Sequence, residues 1–130
     1  MIILDTCTLI WMTNCPEELS KTAAKAIRAN ADALCVLPIS AWEIAMKIKG
    51  GKLAVGGTLS ASVWYEKVLD SYGLREIPLT AELLCASVQL PPIHRDPCDR
   101  MIIAAAMLTG ASIVTADTVI ANYPKIKIIW

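Results

Sequence analysis

The chain has 130 residues, with 12 Lys and Arg against 12 Asp and Glu and a formal net charge of zero. As a whole it therefore does not attract nucleic acid or a membrane surface, and any polyanion would need a local patch or bound metal. Its hydrophobic content of 55% exceeds the usual value of about 45–50%. That excess suits a sheet covered on both faces or a domain that hides surface against a partner, and a single domain over residues 1–130 is expected. The five scattered cysteines, Cys7, Cys15, Cys35, Cys85 and Cys98, form no C-x-x-C pair, which argues against a disulfide framework and against a zinc site. No apolar run reaches the roughly 20 residues that span a bilayer. The opening Met-Ile-Ile-Leu-Asp shows no basic segment or cleavage site, so a soluble, cytoplasmic protein is expected.

Met1 to Leu4 reads as a central parallel strand closed by Asp5, and Thr6 to Met12 as a short apolar helix. Pro16-Glu17-Glu18 is expected to open a second helix running through Arg28, with acids in the first turn where the helix dipole favours them. Leu34 to Leu37 is the next buried strand, and Ser40-Ala-Trp-Glu43 reads as a capping box at the head of a third helix that stops at Gly50-Gly51. Leu59 to Ser71 predicts a fourth helix, Leu74 to Pro78 a strand, and Thr80 the cap of a fifth helix. Between His94 and Asp117 lies the stretch that organises the rest. Asp96 caps a helix, Pro97 takes its first position, and Asp99 falls in its first turn. Gly110 ends that helix, and Ser-Ile-Val-Thr forms a buried strand leading to Asp117. Val119 to Tyr123 is a brief turn, and Lys127 to Trp130 adds a last strand. Alternating strands and helices predict an α/β fold, a three-layer α/β/α sandwich around a mainly parallel sheet of four to five strands.

Asp5, Glu43, Asp99 and Asp117 each fall near the carboxyl edge of that sheet, where α/β proteins gather their chemistry. Four carboxylates in one cleft repel unless a cation neutralises them. Hard oxygen ligands suit Mg²⁺ or Mn²⁺, one or two ions, which can orient and deprotonate a water and stabilise charge on a phosphodiester. Each acid also has a plain structural reading. Glu43 completes the capping box with Ser40, Asp99 answers the helix dipole, and Asp117 begins a turn, while Asp96 acts mainly as a cap, with support of the pocket or direct metal ligation as its other use. Asp5 has a capping duty only if the next helix starts at once. Their coincidence at one edge carries the metal reading.

Four motifs, I-L-D-T at 3–6, S-A-W-E-I-A-M-K at 40–47, H-R-D-P-C-D-R-M-I-I-A-A-A at 94–106 and I-V-T-A-D at 113–117, resemble the PIN-domain ribonucleases. The match is nearest to the VapC-type toxins of bacterial and archaeal toxin–antitoxin pairs. The resemblance implies that Asp5, Glu43, Asp99 and Asp117 are the catalytic and metal-binding acids, with Thr6 and Thr115 as hydroxyls lining the pocket. It further implies a single-stranded RNA substrate, Mg²⁺ or Mn²⁺, a homodimer, and a cognate VapB-like antitoxin that blocks the cleft. Cys98 departs from the pattern, standing where these toxins usually carry an aromatic residue.

Lys47, Arg95 and Arg100 flank the acids and are candidates for holding RNA phosphates, or else an ordinary solvated charged face. His94, the sole histidine, has no serine or cysteine nucleophile arrangement to serve and reads as a loop or helix-start contact rather than an acid–base group. The Leu9-Ile10-Trp11-Met12 cluster reads as core, with a dimer mate or antitoxin as the other use. A haloacid-dehalogenase-type phosphatase also begins with a strand ending in Asp, but needs a second acid two residues on, where this chain has Cys7. A housekeeping RNA-processing nuclease and a catalytically silent binding module are the remaining readings.

Overall fold

The computed structural model describes residues 1–130. Five short strands, β1 (Ile2–Leu4), β2 (Leu34–Val36), β3 (Arg75–Glu76), β4 (Ser112–Val114) and β5 (Ile128–Ile129), form one sheet in the order β3-β2-β1-β4-β5. Every pairing is parallel. The period of two in a strand sends alternate side chains to opposite faces. Ile2, Leu4, Leu34, Val36 and Val114 therefore enter one core, and Ile3, Cys35, Leu37 and Ile113 the other.

Six helices cover the two faces. On the first lie α1 (Thr6–Asn14), α2 (Lys21–Ala29), α3 (Ile39–Lys49) and α4 (Ala61–Tyr72), which contribute Leu9, Ile27, Ile44 and Trp64. On the second lie α5 (Ala81–Gln89) and α6 (Pro97–Thr109), with Leu83, Ile102, Ile103 and Ala106. The three-layer α/β/α expectation is met, and the sheet is wholly parallel. Leu9, Ile10 and Met12 are buried in the first core and Trp11 packs against it, as the plain reading of that cluster anticipates. No helix is long and apolar enough to cross a membrane.

Local chemistry explains most boundaries. Ser20, Ser60, Thr80 and Asp96 cap α2, α4, α5 and α6 through side-chain oxygens that accept backbone N–H groups. Gly110 closes α6 in the left-handed region at φ 73°, which a side chain enters only at a cost. Three expectations are corrected. Pro16-Glu17-Glu18 forms a separate 3₁₀ turn, and α2 begins afterwards at its Ser20 cap. The strand expected over 74–78 shrinks to Arg75–Glu76, an exposed edge pair with no face to bury. Ser40 does not cap α3, because the helix already starts at Ile39 and the Ser40 hydroxyl turns to Thr6.

The strand order has a functional consequence. From β1 the chain builds outward on one side through β2 and β3, then crosses to the other side for β4. The reversal lies between β1 and β4, and such switch points open a crevice at the carboxyl ends of the strands.

Candidate active site

Asp5 follows β1 directly and caps α1 at the same time. Its Oδ1 accepts the Thr8 N–H at 2.8 Å, and its Oδ2 accepts the hydroxyl of Thr115, just past β4. The Asp5 N–H also reaches the Val114 carbonyl. The switch point is thus stitched across by one carboxylate. Thr8 reinforces the join, its hydroxyl donating to the same Val114 carbonyl at 2.9 Å.

Glu43 lies one turn into α3. Thr6 Oγ1 donates to its Oε1 at 2.6 Å, so Thr6 must accept from Ser40 Oγ, 2.9 Å away. Ser40, Thr6 and Glu43 form a directed relay from a fully buried hydroxyl to the pocket. The expected capping box is absent, and Glu43 is left to line the cleft. Thr6 and Thr115 are 3% and 1% exposed, so both hydroxyls are built into the core.

Asp99 and Asp117 form another wall of the same pocket. Asp96 Oδ1 takes the N–H groups of Cys98 and Asp99 and acts as the cap of α6. Asp117 Oδ1 accepts the Val119 N–H at 2.8 Å, and its own N–H donates to Thr115 Oγ1. Between the two acids stands His94. Its Nε2 lies 2.7 Å from Asp117 Oδ2 and 3.2 Å from Asp99 Oδ2. Sequence reasoning gives this residue only a loop contact and misses its place in the site. The signal that could have found it is a sole histidine two residues before a helix cap, in a loop that folds back over the first turn.

Asp5, Glu43, Asp99 and Asp117 all line one pocket of about 370 Å³, together with Thr6, Cys7, Lys47 and Asp96. Their protonation reflects the crowding. Burial pushes Asp5 up, against the pull of its Thr115 and Thr8 donors. Burial also raises Glu43, with the Asp96 and Asp5 charges adding to it and the Thr6 hydroxyl opposing. Asp99 is pushed up to about 7 by burial and by the charges of Asp96 and Glu43. Asp117 goes the other way: burial raises it, but the His94 and Val119 hydrogen bonds outweigh that and hold it below its ordinary value. Three of the four acids are thus raised, first by burial and then by one another's charges.

A wider apolar groove of about 680 Å³ adjoins the pocket and shares Glu43, Lys47 and Asp96 with it. Its walls include Trp42 and Met46, 56% and 53% exposed. Cys98 is buried beside it, and burial together with the neighbouring acids pushes its thiol up to about 12. Its sulfur lies within 4.8 Å of ligand atoms of Glu43 and Asp96, and in the metal-free protein it stands there as a thiol.

The basic residues divide. Lys47 lines the pocket, its Nζ 4.0 Å from Cys7 Sγ, and Arg95 is exposed. Arg100, expected among the RNA-facing charges, is turned inward instead. Its guanidinium donates to the carbonyls of Val88, Leu90, Pro91 and His94 and to the Tyr123 hydroxyl. Those five acceptors use its donors to clamp the loop that carries His94.

The fold and pocket define a doubly wound parallel α/β protein with an acidic centre at its switch point. The PIN domain family model matches residues 2–126, and the chain belongs to that family. Ribonuclease VapC22 of Mycobacterium tuberculosis is 27% identical over 132 residues, 99% of this chain and 98% of that protein. Among solved structures, VapBC2 from Rickettsia felis bound to a promoter DNA fragment aligns with TM-score 0.68 at 15% identity, covering 98% of this chain and 97% of that one. FitAcB from Neisseria gonorrhoeae aligns with TM-score 0.65 at 18% identity, covering 98% and 96%. These structural likenesses speak to the fold.

Proposed function

We propose that this chain is a divalent-metal-dependent endoribonuclease acting on single-stranded RNA, the toxin of a type II toxin–antitoxin pair. The observation that carries the reading is the gathering of Asp5, Glu43, Asp99 and Asp117 on one pocket. The four acids offer carboxylate oxygens, hard donors that fit a cation such as Mg²⁺ or Mn²⁺. The four acids would hold one or two such ions. Bound there, the metal would supply a nucleophilic water at neutral pH and charge stabilisation for the phosphodiester in flight.

The chain's own residues do the rest. Thr115 and Thr8 fix the orientation of the Asp5 carboxylate, and the Ser40–Thr6 relay fixes that of Glu43, so neither acid has to reorganise when a cation arrives. Lys47, which lines the pocket, and the exposed Arg95 would take RNA phosphates. The relative from Mycobacterium tuberculosis carries the name ribonuclease, and similar folds come from toxin–antitoxin complexes. A VapB-like antitoxin covering the cleft and a homodimer complete the proposal.

The test is cleavage of single-stranded RNA by wild type and by Asp5→Asn, with Mg²⁺ or Mn²⁺ and with chelator. Cleavage by wild type alone, abolished by chelator and restored by metal, is expected. Equal cleavage by both proteins, or cleavage indifferent to chelator, would overturn the proposal.

A further inference from the structure

His94 is held more firmly than a loop residue requires. Its N–H donates to the Tyr123 hydroxyl at 2.7 Å, and its carbonyl accepts Arg100 Nη1 at 3.1 Å. The Tyr123 hydroxyl in turn donates to the Pro91 carbonyl, and Tyr123 is itself buried. The backbone of the loop is thereby fixed at both groups of residue 94.

The ring is fixed as well. Nδ1 accepts the Asp96 N–H at 3.1 Å. A nitrogen that accepts a backbone N–H presents a lone pair, so the ring proton lies on Nε2. That Nε2–H is the group facing Asp117 Oδ2 and Asp99 Oδ2. His94, Asp99 and Asp117 come close enough to suggest a three-ligand metal site. A protonated Nε2, however, has no lone pair to give a cation.

We infer that His94 is not a metal ligand but a positioning residue, whose Nε2–H, set by the Asp96 backbone, ties the Asp99 and Asp117 carboxylates together for the ion they share. The inference rests on the pocket being the divalent-ion site proposed above. The neutral donor orients two acids while leaving their charge for the cation, as outer-shell donors do in metal sites. It also explains why Arg100 and Tyr123 clamp this loop: both hold the donor that aligns half of the acidic set.

Because the chain has one histidine, long-range ¹H–¹⁵N NMR of the full-length protein reads this ring without ambiguity. A proton on Nε2 and a bare Nδ1, unchanged on adding Mg²⁺, is expected. A proton on Nδ1, or loss of the Nε2 proton when Mg²⁺ binds, would overturn the inference. Mn²⁺ binding by calorimetry gives the second arm. His94→Ala should weaken Mn²⁺ binding by about 10–100-fold, the range for loss of an outer-shell partner. His94→Gln restores an amide N–H near the place of Nε2–H and should recover most of that loss. His94→Gln as weak as His94→Ala would overturn the positioning role. A wild-type protein that binds no Mn²⁺ would overturn the proposed function and the positioning role with it, whereas the NMR arm fails or succeeds on the wild type alone.

Discussion

On one wall of the pocket, Asp5 and Glu43 are held by hydroxyls that belong to the core. On the other, Asp99 and Asp117 meet a single imidazole N–H carried on a loop. The first wall hangs directly on β1, β4 and α3, and its donors Thr6, Ser40, Thr8 and Thr115 are all buried. The second depends on a clamp of Arg100 and Tyr123 across residues 88–94. The electrostatics differ in the same sense. Both acids of the hydroxyl wall are raised by burial, whereas the histidine wall splits its pair, with Asp117 lowered and Asp99 pushed up to about 7. The hydroxyl wall is therefore pre-formed by the fold. On the other, Asp117 is also held by the Val119 N–H, but its tie to Asp99 depends on a loop whose local stability becomes part of the site.

The largest effect is expected on the hydroxyl wall. Asp5→Asn keeps a good helix cap but removes one charge from the set, so turnover should fall by about 10²-fold or more while circular dichroism and melting remain near wild type. On the histidine wall, Arg100→Ala should cost about 2 kcal/mol or more, since it deletes charge-assisted bonds and leaves carbonyls unpaired. Denaturant unfolding reads that loss, and Mn²⁺ affinity should fall with it because His94 is freed. If Arg100→Ala loses stability yet binds Mn²⁺ like wild type, the loop is not what aligns the second wall.

Thr6→Val removes the donor to Glu43 and should weaken Mn²⁺ binding by about 10-fold or more by calorimetry. The histidine wall also predicts a pH signature. In the folded protein Asp99 ionises near 7, against about 4 when unfolded, so the native state holds a proton that the unfolded chain has released. Its contribution to stability is full below about 4 and declines as pH rises towards 7. The metal-free protein should therefore lose stability over that window, and Asp99→Asn should flatten the profile. The smallest effects belong to the rim. Lys47→Ala and Arg95→Ala should weaken RNA binding alike across sequences. Each should lower the slope of binding against salt by about 0.7 for every RNA phosphate the side chain neutralises.

The layers, the strands near the centre and the caps follow from local rules, because apolar runs, serine or threonine caps and Gly110 state their geometry within a few residues. Asp5 and Asp117 can be placed by the same logic, each closing an apolar strand. Glu43 is harder, since Ser40 and Glu43 have the spacing of a capping box. Only packing against Thr6, 34 and 37 residues away, decides that both side chains turn inward. The edge strand Arg75–Glu76 is shorter than its sequence suggests because a buried run and an exposed pair begin alike. Arg100 and His94 mark the limit. A charge beside an acidic motif suggests RNA, and nothing local reveals that Tyr123, 23 residues on, shares Arg100 with the carbonyls of a loop.

The most direct measurement is Mn²⁺ binding by calorimetry to wild type and to Asp5→Asn at neutral pH, without RNA. The account predicts a binding isotherm for wild type with release of protons, as Asp99, raised to about 7, gives its proton up, and a binding constant lower by about 10-fold or more in the variant. Equal binding by the two proteins, or none by the wild type, would contradict the claim that these distant acids share an ion.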